Sequence, residues 1–134
     1  MNKIQRITFT VSLSIAATAV MAVRSPFDGA QATLYSEATS FYSSKNYDAA
    51  IRYYSDFLEY MPTEVSDGDE RIRIARQNIA LASYQLRRAD AYLLLSEYMT
   101  EFPYTQDISR IELYLAVLDF ENGKYKPALK RLES

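Results

Sequence analysis

The sequence predicts an all-α protein made of antiparallel helical hairpins stacked in series, and three observations carry that prediction. The first is the stretch Asn46 to Pro62. There Tyr47, Ala50, Ile51, Tyr54, Leu58 and Met61 recur at helical spacing and gather into one apolar stripe, with Asp48, Arg52, Asp56 and Glu59 mostly off it. The second is punctuation: Pro62 and Pro103 each follow a periodic segment that they cannot continue, while the 134 residues hold only 3 Gly and 4 Pro. The third is recurrence. Pro62 returns as Pro103, and Tyr47-Asp48-Ala49-Ala50 returns as Tyr125-Lys126-Pro127-Ala128.

Six helices follow in order. The first spans about Leu34 to Ser44, with Leu34, Ala38, Phe41 and Tyr42 on one face. Lys45-Asn46 is a turn, and Asn46 caps the second helix, which Pro62 ends. Thr63 to Glu70 is a polar, acidic loop whose Asp69-Glu70 suit the positive start of a third helix. That helix reaches about Leu86, with Ile72, Ala75, Ile79, Ala82 and Leu86 inward. After a tight turn at Arg87-Arg88, Asp90 to Glu101 carries the stripe Ala91, Leu94, Leu95, Tyr98 and then Phe102, and Pro103 stops it. The fifth helix starts near Asp107, presents Ile108, Ile111, Leu115 and Leu118, and closes on Gly123 as a left-handed cap. Pro127 falls in the first turn of the sixth, where a missing N–H costs nothing.

Ahead of these helices, residues 1–32 have the layout of a signal peptide. Lys3 and Arg6 precede an uncharged apolar run from Ile7 to Val23, Arg24-Ser25-Pro26 breaks it, and Ala30-Gln31-Ala32 offers a small-x-small cleavage pattern. Cleavage after Ala32 would leave a mature domain of residues 33–134, and an earlier cut after Ala22 is the alternative. An uncleaved membrane anchor is the competing reading, since the run is slightly short of the ~20 residues that span a bilayer.

Composition limits the chemistry. The chain has no Cys and no His, which removes thiolate nucleophiles, imidazole bases, disulfides and the usual zinc ligand sets, and leaves no cofactor to expect. Net charge is −2; without Lys3, Arg6, Arg24 and Asp28 the remainder has 12 basic against 16 acidic residues, or −4. A weakly acidic body argues against nucleic acid as the main partner.

Aromatic, Ala, aromatic and Pro at these intervals resemble the tetratricopeptide repeat. Leu34, Ala38, Phe41, Tyr47, Ala50, Tyr54 and Pro62 match a first repeat, and Leu115-Ala116, Gly123, Tyr125, Ala128 and Leu132 a third. The second keeps Ala91, Leu95 and Pro103, but Arg88 stands where an aromatic is usual. Its large-small pair Ile79-Ala80 is one position late, implying a turn shortened by one residue; Glu37 also departs from the usual Leu. The resemblance implies an α-solenoid with repeats at about 33–62, 70–103 and 106–134, similar to the amino-terminal part of long exported repeat proteins of bacterial envelopes. It further implies a groove, lined by the first helix of each pair, that binds other envelope proteins or peptides. Tyr35, Thr39 and Tyr42 would face it in the first repeat, Arg73 and Arg76 in the second, and Arg110 and Leu113, then Val117 and Phe120, in the third. Leu129 and Leu132 lack a covering helix, which invites self-association.

Other chemistry is weaker. Asp67-Gly68-Asp69-Glu70 is carboxylate-rich but lacks the distal Glu of a calcium loop. Glu97 and Glu101 sit one turn apart and Glu37 stands alone; acid–base work would need a pocket between the pair, and on an exposed helix face they are expected to be solubilising. Arg71, Arg73, Arg76, Arg87 and Arg88 could bind an anion, but their acidic surroundings favour pairing within the chain. The expectation is therefore a non-catalytic, exported, periplasmic or outer-envelope scaffold. The alternative is a structural spacer, the N-terminal portion of a longer repeat protein whose activity lies beyond Ser134.

Overall fold

The computed structural model of the chain describes residues 29–61 and 69–133. Residues 1–28, most of the expected signal peptide, and residues 62–68, with Pro62 and most of the expected acidic loop, lie outside the described residues. Those described form helices α1 (Ala30–Ser43), α2 (Tyr47–Glu59), α3 (Glu70–Gln85), α4 (Ala91–Glu101), α5 (Ile108–Glu121) and α6 (Tyr125–Glu133), with no strand among them. The fold is all-α. Each helix packs on its sequence neighbours, and α1 also touches α3, so the contacts are local and repeat along the chain as in helical hairpins laid side by side.

The three hairpin turns are chemically alike. Lys45, Arg87 and Gly123 all take the left-handed conformation, at φ 63°, 52° and 76°. In each, that residue's N–H bonds a carbonyl three back and the next residue's N–H bonds one five back: Lys45 to Tyr42 and Asn46 to Phe41, Arg87 to Tyr84 and Arg88 to Ser83, Gly123 to Phe120 and Lys124 to Asp119. This double closure satisfies carbonyls that a helix end leaves open. The sequence marks only Gly123 for this role, since Lys and Arg give no sign of a positive φ. After the turn, Arg88 is three positions from the buried Ala91, whereas Asn46 and Lys124 are four from Ala50 and Ala128. The difference is absorbed in a tightened first turn, where the Ala91 N–H bonds the Arg88 carbonyl at 3.1 Å.

Helix starts follow local chemistry. The Asn46 side chain accepts from the Ala49 N–H at 3.5 Å, and Asp69 from the Arg71 N–H at 2.8 Å. α1 begins at Ala30 rather than Leu34, because Gly29 at φ 65° turns the chain and its carbonyl accepts from both the N–H and the hydroxyl of Thr33. A cut after Ala32 would thus fall inside the first turn of α1 and release Gln31, whose amide bonds the Tyr60 carbonyl.

Two apolar clusters share the interior. One gathers Ala38, Ala50, Tyr54, Phe57 and Ala75; the other gathers Leu81, Tyr84, Leu95, Tyr98, Ile111 and Leu115, and Tyr42 packs against both. Three expectations need correction. Phe57, off the predicted stripe, is fully buried, because the buried face of α2 is centred on Ala50, Tyr54 and Phe57. Leu86, expected inward, is 37% exposed, since the helix has already ended and the chain turns away there. Gln77, Asn78 and Ser83, polar residues not expected inside, are buried on α3.

Candidate functional site

The residues singled out for a groove divide into three groups in space. Tyr35, Thr39 and Tyr42 recur along one flank of α1. The Tyr35 ring packs edge-on to Tyr54 (5.9 Å between centroids) and against Phe57 (5.2 Å), so its ring belongs to the first cluster. Burial raises its hydroxyl pKa, the neighbouring Tyr54 adds to this, and Arg71 at the start of α3 opposes it. Thr39 is exposed, and its hydroxyl bonds the Tyr35 carbonyl and the Tyr54 hydroxyl, each at 2.9 Å. Tyr54 also accepts from the Asn78 amide at 2.9 Å, a polar link from α1 through α2 to α3. Tyr42 is half-buried against Tyr47 (5.8 Å). Burial pushes its pKa up to about 12, with Tyr47 adding to the rise and the Arg110 guanidinium of α5 opposing it. One flank of α1 and the start of α5 are therefore within electrostatic reach.

Arg73 and Arg76 do not join that flank. Arg73 pairs with Glu70 and donates to the Gln77 side chain at 2.9 Å and the Tyr98 hydroxyl at 2.8 Å. These bonds hold it between α3 and α4, and the network continues from the Gln77 amide to Asp107 at 2.9 Å. Glu70 is the leading cause that raises the Arg73 pKa further. Arg76 pairs with Glu101 and lines a cleft with Leu58 and Leu94, on the side of α2 and α4. On a helix of 3.6 residues per turn Arg73 and Arg76 lie about 160° and 140° round from Arg71, which sets both apart from it. Arg71 is the one within electrostatic reach of Tyr35, a pairing the sequence did not signal; Asp69 caps the start of the helix that carries all three.

Arg110 and Leu113 also part. Arg110 pairs with Asp107 at 3.3 Å, near Tyr42. Leu113, 47% exposed, instead lines an open cleft of about 440 Å³ between α5 and α6, with Val117, Phe120, Tyr125, Leu129 and Leu132. Between the two regions lies Tyr114, stacked on Tyr84 of α3 at 3.9 Å and 6°, with the Arg87 guanidinium over Tyr84 at 4.1 Å. The sequence carried no signal for this stack beyond the aromatic content of the helices.

Of the carboxylates considered for chemistry, three are engaged in ion pairs; Glu97 lines the cleft beside Arg76 with Glu101, and Asp67 lies outside the described residues. Asp69 and Glu70 pair with Arg71 and Arg73, and Glu101 with Arg76. Among the described residues no group of three or more acidic side chains is arranged to hold a metal ion, and no helix is long and apolar enough to cross a membrane. No family model, curated protein or solved structure matches the chain.

Proposed function

We propose that the chain is a non-catalytic interaction scaffold of the bacterial cell envelope, a tetratricopeptide-like solenoid whose α1, α3 and α5 present one flank to a bound peptide. The observation that carries this reading is that Tyr42 on α1 and Tyr114 on α5 pack against the same apolar cluster, with the Arg110 guanidinium within electrostatic reach of Tyr42. Aromatic rings beside a guanidinium combine apolar area with directional polar contact, which is what peptide-binding hot spots use. Tyr35, Thr39 and Arg71 extend the same flank toward the start of α3. Arg73, Arg76 and Leu113 drop out of the proposed site. Export follows from the layout of residues 1–32, and the lack of Cys and His agrees with a binding rather than a catalytic role.

A spacer remains the second reading, favoured by how many polar groups near this flank are already bonded within the chain: Thr39 to Tyr54, Arg110 to Asp107, Gln77 to Asp107. Selection from a displayed random-peptide library separates the two. The scaffold reading expects enriched peptides whose affinity falls about tenfold or more in Tyr42→Ala and Arg110→Ala, the loss of one or two hot-spot contacts, with the melting temperature little changed. No enrichment, or affinities indifferent to both variants, would leave the spacer.

A further inference from the structure

The tripeptide Ala30-Gln31-Ala32, the small-x-small pattern nearest the helices, is no linker in the structure. It forms the first turn of α1, which begins at Ala30 after Gly29 turns the chain at φ 65°. The turn is tied down at both levels of the hairpin. The Gly29 carbonyl accepts from the Thr33 N–H at 3.2 Å and from the Thr33 hydroxyl at 3.1 Å. The Gln31 side chain donates to the carbonyl of Tyr60, the residue that ends α2, and so satisfies an acceptor that a helix end leaves open. One turn on, Leu34 and Tyr35 pack on the first apolar cluster, with the Tyr35 ring against Tyr54 and Phe57.

A cut after Ala32 would undo this turn. It removes the Gly29 carbonyl and Gln31, reopens the Tyr60 carbonyl, and moves the helix start to Thr33. The new terminus would be a protonated amine, and positive charge at the positive end of a helix is unfavourable. Leu34 and Tyr35 would then lie in the first turn behind a chain end, where helices fray.

We propose that the exported chain is instead cut upstream of Gly29, after Ala22, so that the mature protein begins at Val23 and keeps residues 29–32 as the start of α1. The proposal rests on the export reading given above. The sequence around Ala22 agrees with it independently of the fold. Residues 1–22 divide into a basic start with Lys3 and Arg6, an apolar run from Ile7, and Val20-Met21-Ala22 directly at its end. Such a leader falls within the roughly 15–30 residues usual for signal peptides, and Ala22 supplies the small side chain needed before the cut. A leader ending at Ala32 would exceed that length. It would also set Arg24, Pro26 and Asp28 between the apolar run and the cut.

The test is N-terminal sequencing of the full chain, expressed with its own leader in a bacterial host and recovered from the periplasmic and membrane fractions. Val23 is the expected first residue. Ala32→Leu, at an exposed position, should be processed as the wild type is. Ala22→Leu, which sets a bulky side chain before the cut, should accumulate as the precursor. A first residue of Thr33 overturns the proposal and leaves export standing, as does a precursor that accumulates in Ala32→Leu and not in Ala22→Leu. A first residue of Val20, after Ala17-Thr18-Ala19, overturns the assignment to Ala22 but not the retention of residues 29–32. A wild-type chain that keeps Met1 overturns the export reading and the cut with it.

Discussion

The first and third hairpins are nearly the same object in two environments. Tyr54 and Leu132 occupy equivalent positions on α2 and α6, yet one is fully buried and the other 60% exposed. Ala50 and Ala128 are both buried, at 0% and 5%, because each lies against its own hairpin partner whatever comes next. Burial within a hairpin is thus set by the hairpin itself, while burial of its outer face is set by the neighbour. That is the behaviour of a one-dimensional array, in which stability divides into unit and interface contributions. A second contrast concerns the position after this face. Phe41 in the first hairpin packs its ring on Tyr53 at 5.1 Å. Its counterpart Asp119 is 2% exposed and is held by Arg131 at 3.0 Å, an ion pair in place of an aromatic pair.

Removing equivalent side chains should separate the two environments most strongly. Tyr54→Ala deletes a buried ring and its bonds to Asn78 and Thr39, and should cost about 3–5 kcal/mol in urea unfolding. Leu132→Ala, on the open face at 60% exposure, should cost about 0.5 kcal/mol or less. Equal costs for the two would break the comparison.

Filling rather than emptying gives a smaller contrast. Ala50→Trp forces a large ring between α1 and α2, beneath α3, and should destabilise by about 1–3 kcal/mol. Ala128→Trp has the open cleft beside it and should cost less, because the ring can swing into that space. Asp56→Ala, on the outer part of α2, serves as the reference, at about 0.5 kcal/mol or less. Thermal or urea melts of the three variants should rank in that order.

Much of this architecture was legible in the sequence, and what was hidden has physical reasons. Helix number, order and most boundaries followed from apolar periodicity, from Pro103 and from the capping residues Asn46 and Asp69, all local signals. The buried polar residues of α3 were hidden, because Gln77 and Asn78 lie inside only by virtue of partners on other helices, Asp107 and Tyr54. The candidate site was legible on α1, where Tyr35, Thr39 and Tyr42 do share a flank. It failed on α3, where an error of two positions swaps Arg71 for Arg73, and at Leu113, whose face depends on which hairpin lies beyond it. Periodicity locates a stripe; the rotation of that stripe about the stack comes from tertiary contacts.

The hairpin turns extend the comparison to the backbone. Lys45 and Gly123 hold the same left-handed position, where a side chain is strained and glycine is not. Lys45→Gly should therefore stabilise by about 0.5–1 kcal/mol, reduced somewhat by the extra freedom of the unfolded chain. Gly123→Ala should destabilise by a similar amount, and since no atom lies within 4 Å of a Cβ built there, the effect would be purely conformational. Opposite signs in chemical unfolding are the expected result; the same sign for both would show that the two turns are not equivalent.

The smallest expected effect lies at the helix starts. Asp69 caps α3, accepting from the Arg71 N–H at 2.8 Å, and also receives the Arg71 guanidinium at 3.3 Å. Asp107, at the start of α5, makes no such cap and instead accepts from Gln77 at 2.9 Å. The side-chain bond from Arg71 is the leading cause that holds the Asp69 carboxyl below its ordinary pKa, with the backbone bond adding to it and partial burial opposing both. A carboxyl whose folded pKa lies below its unfolded one binds fewer protons when folded. Its contribution to stability is complete above the unfolded value and is lost as pH falls through the folded one. Asp69 is about a quarter exposed and Arg71 more, so solvent screening keeps the contribution small. Asp69→Asn retains a capping oxygen but not the charge. It should cost under about 1 kcal/mol near neutrality and flatten the loss of stability on acidification. Asp69→Ala removes the cap as well and should lower stability by about 1 kcal/mol even at acid pH. Urea unfolding of the three chains between neutral and acid pH measures this directly, and parallel pH profiles for wild type and Asp69→Asn would mean that Arg71 does not hold the carboxyl in solution.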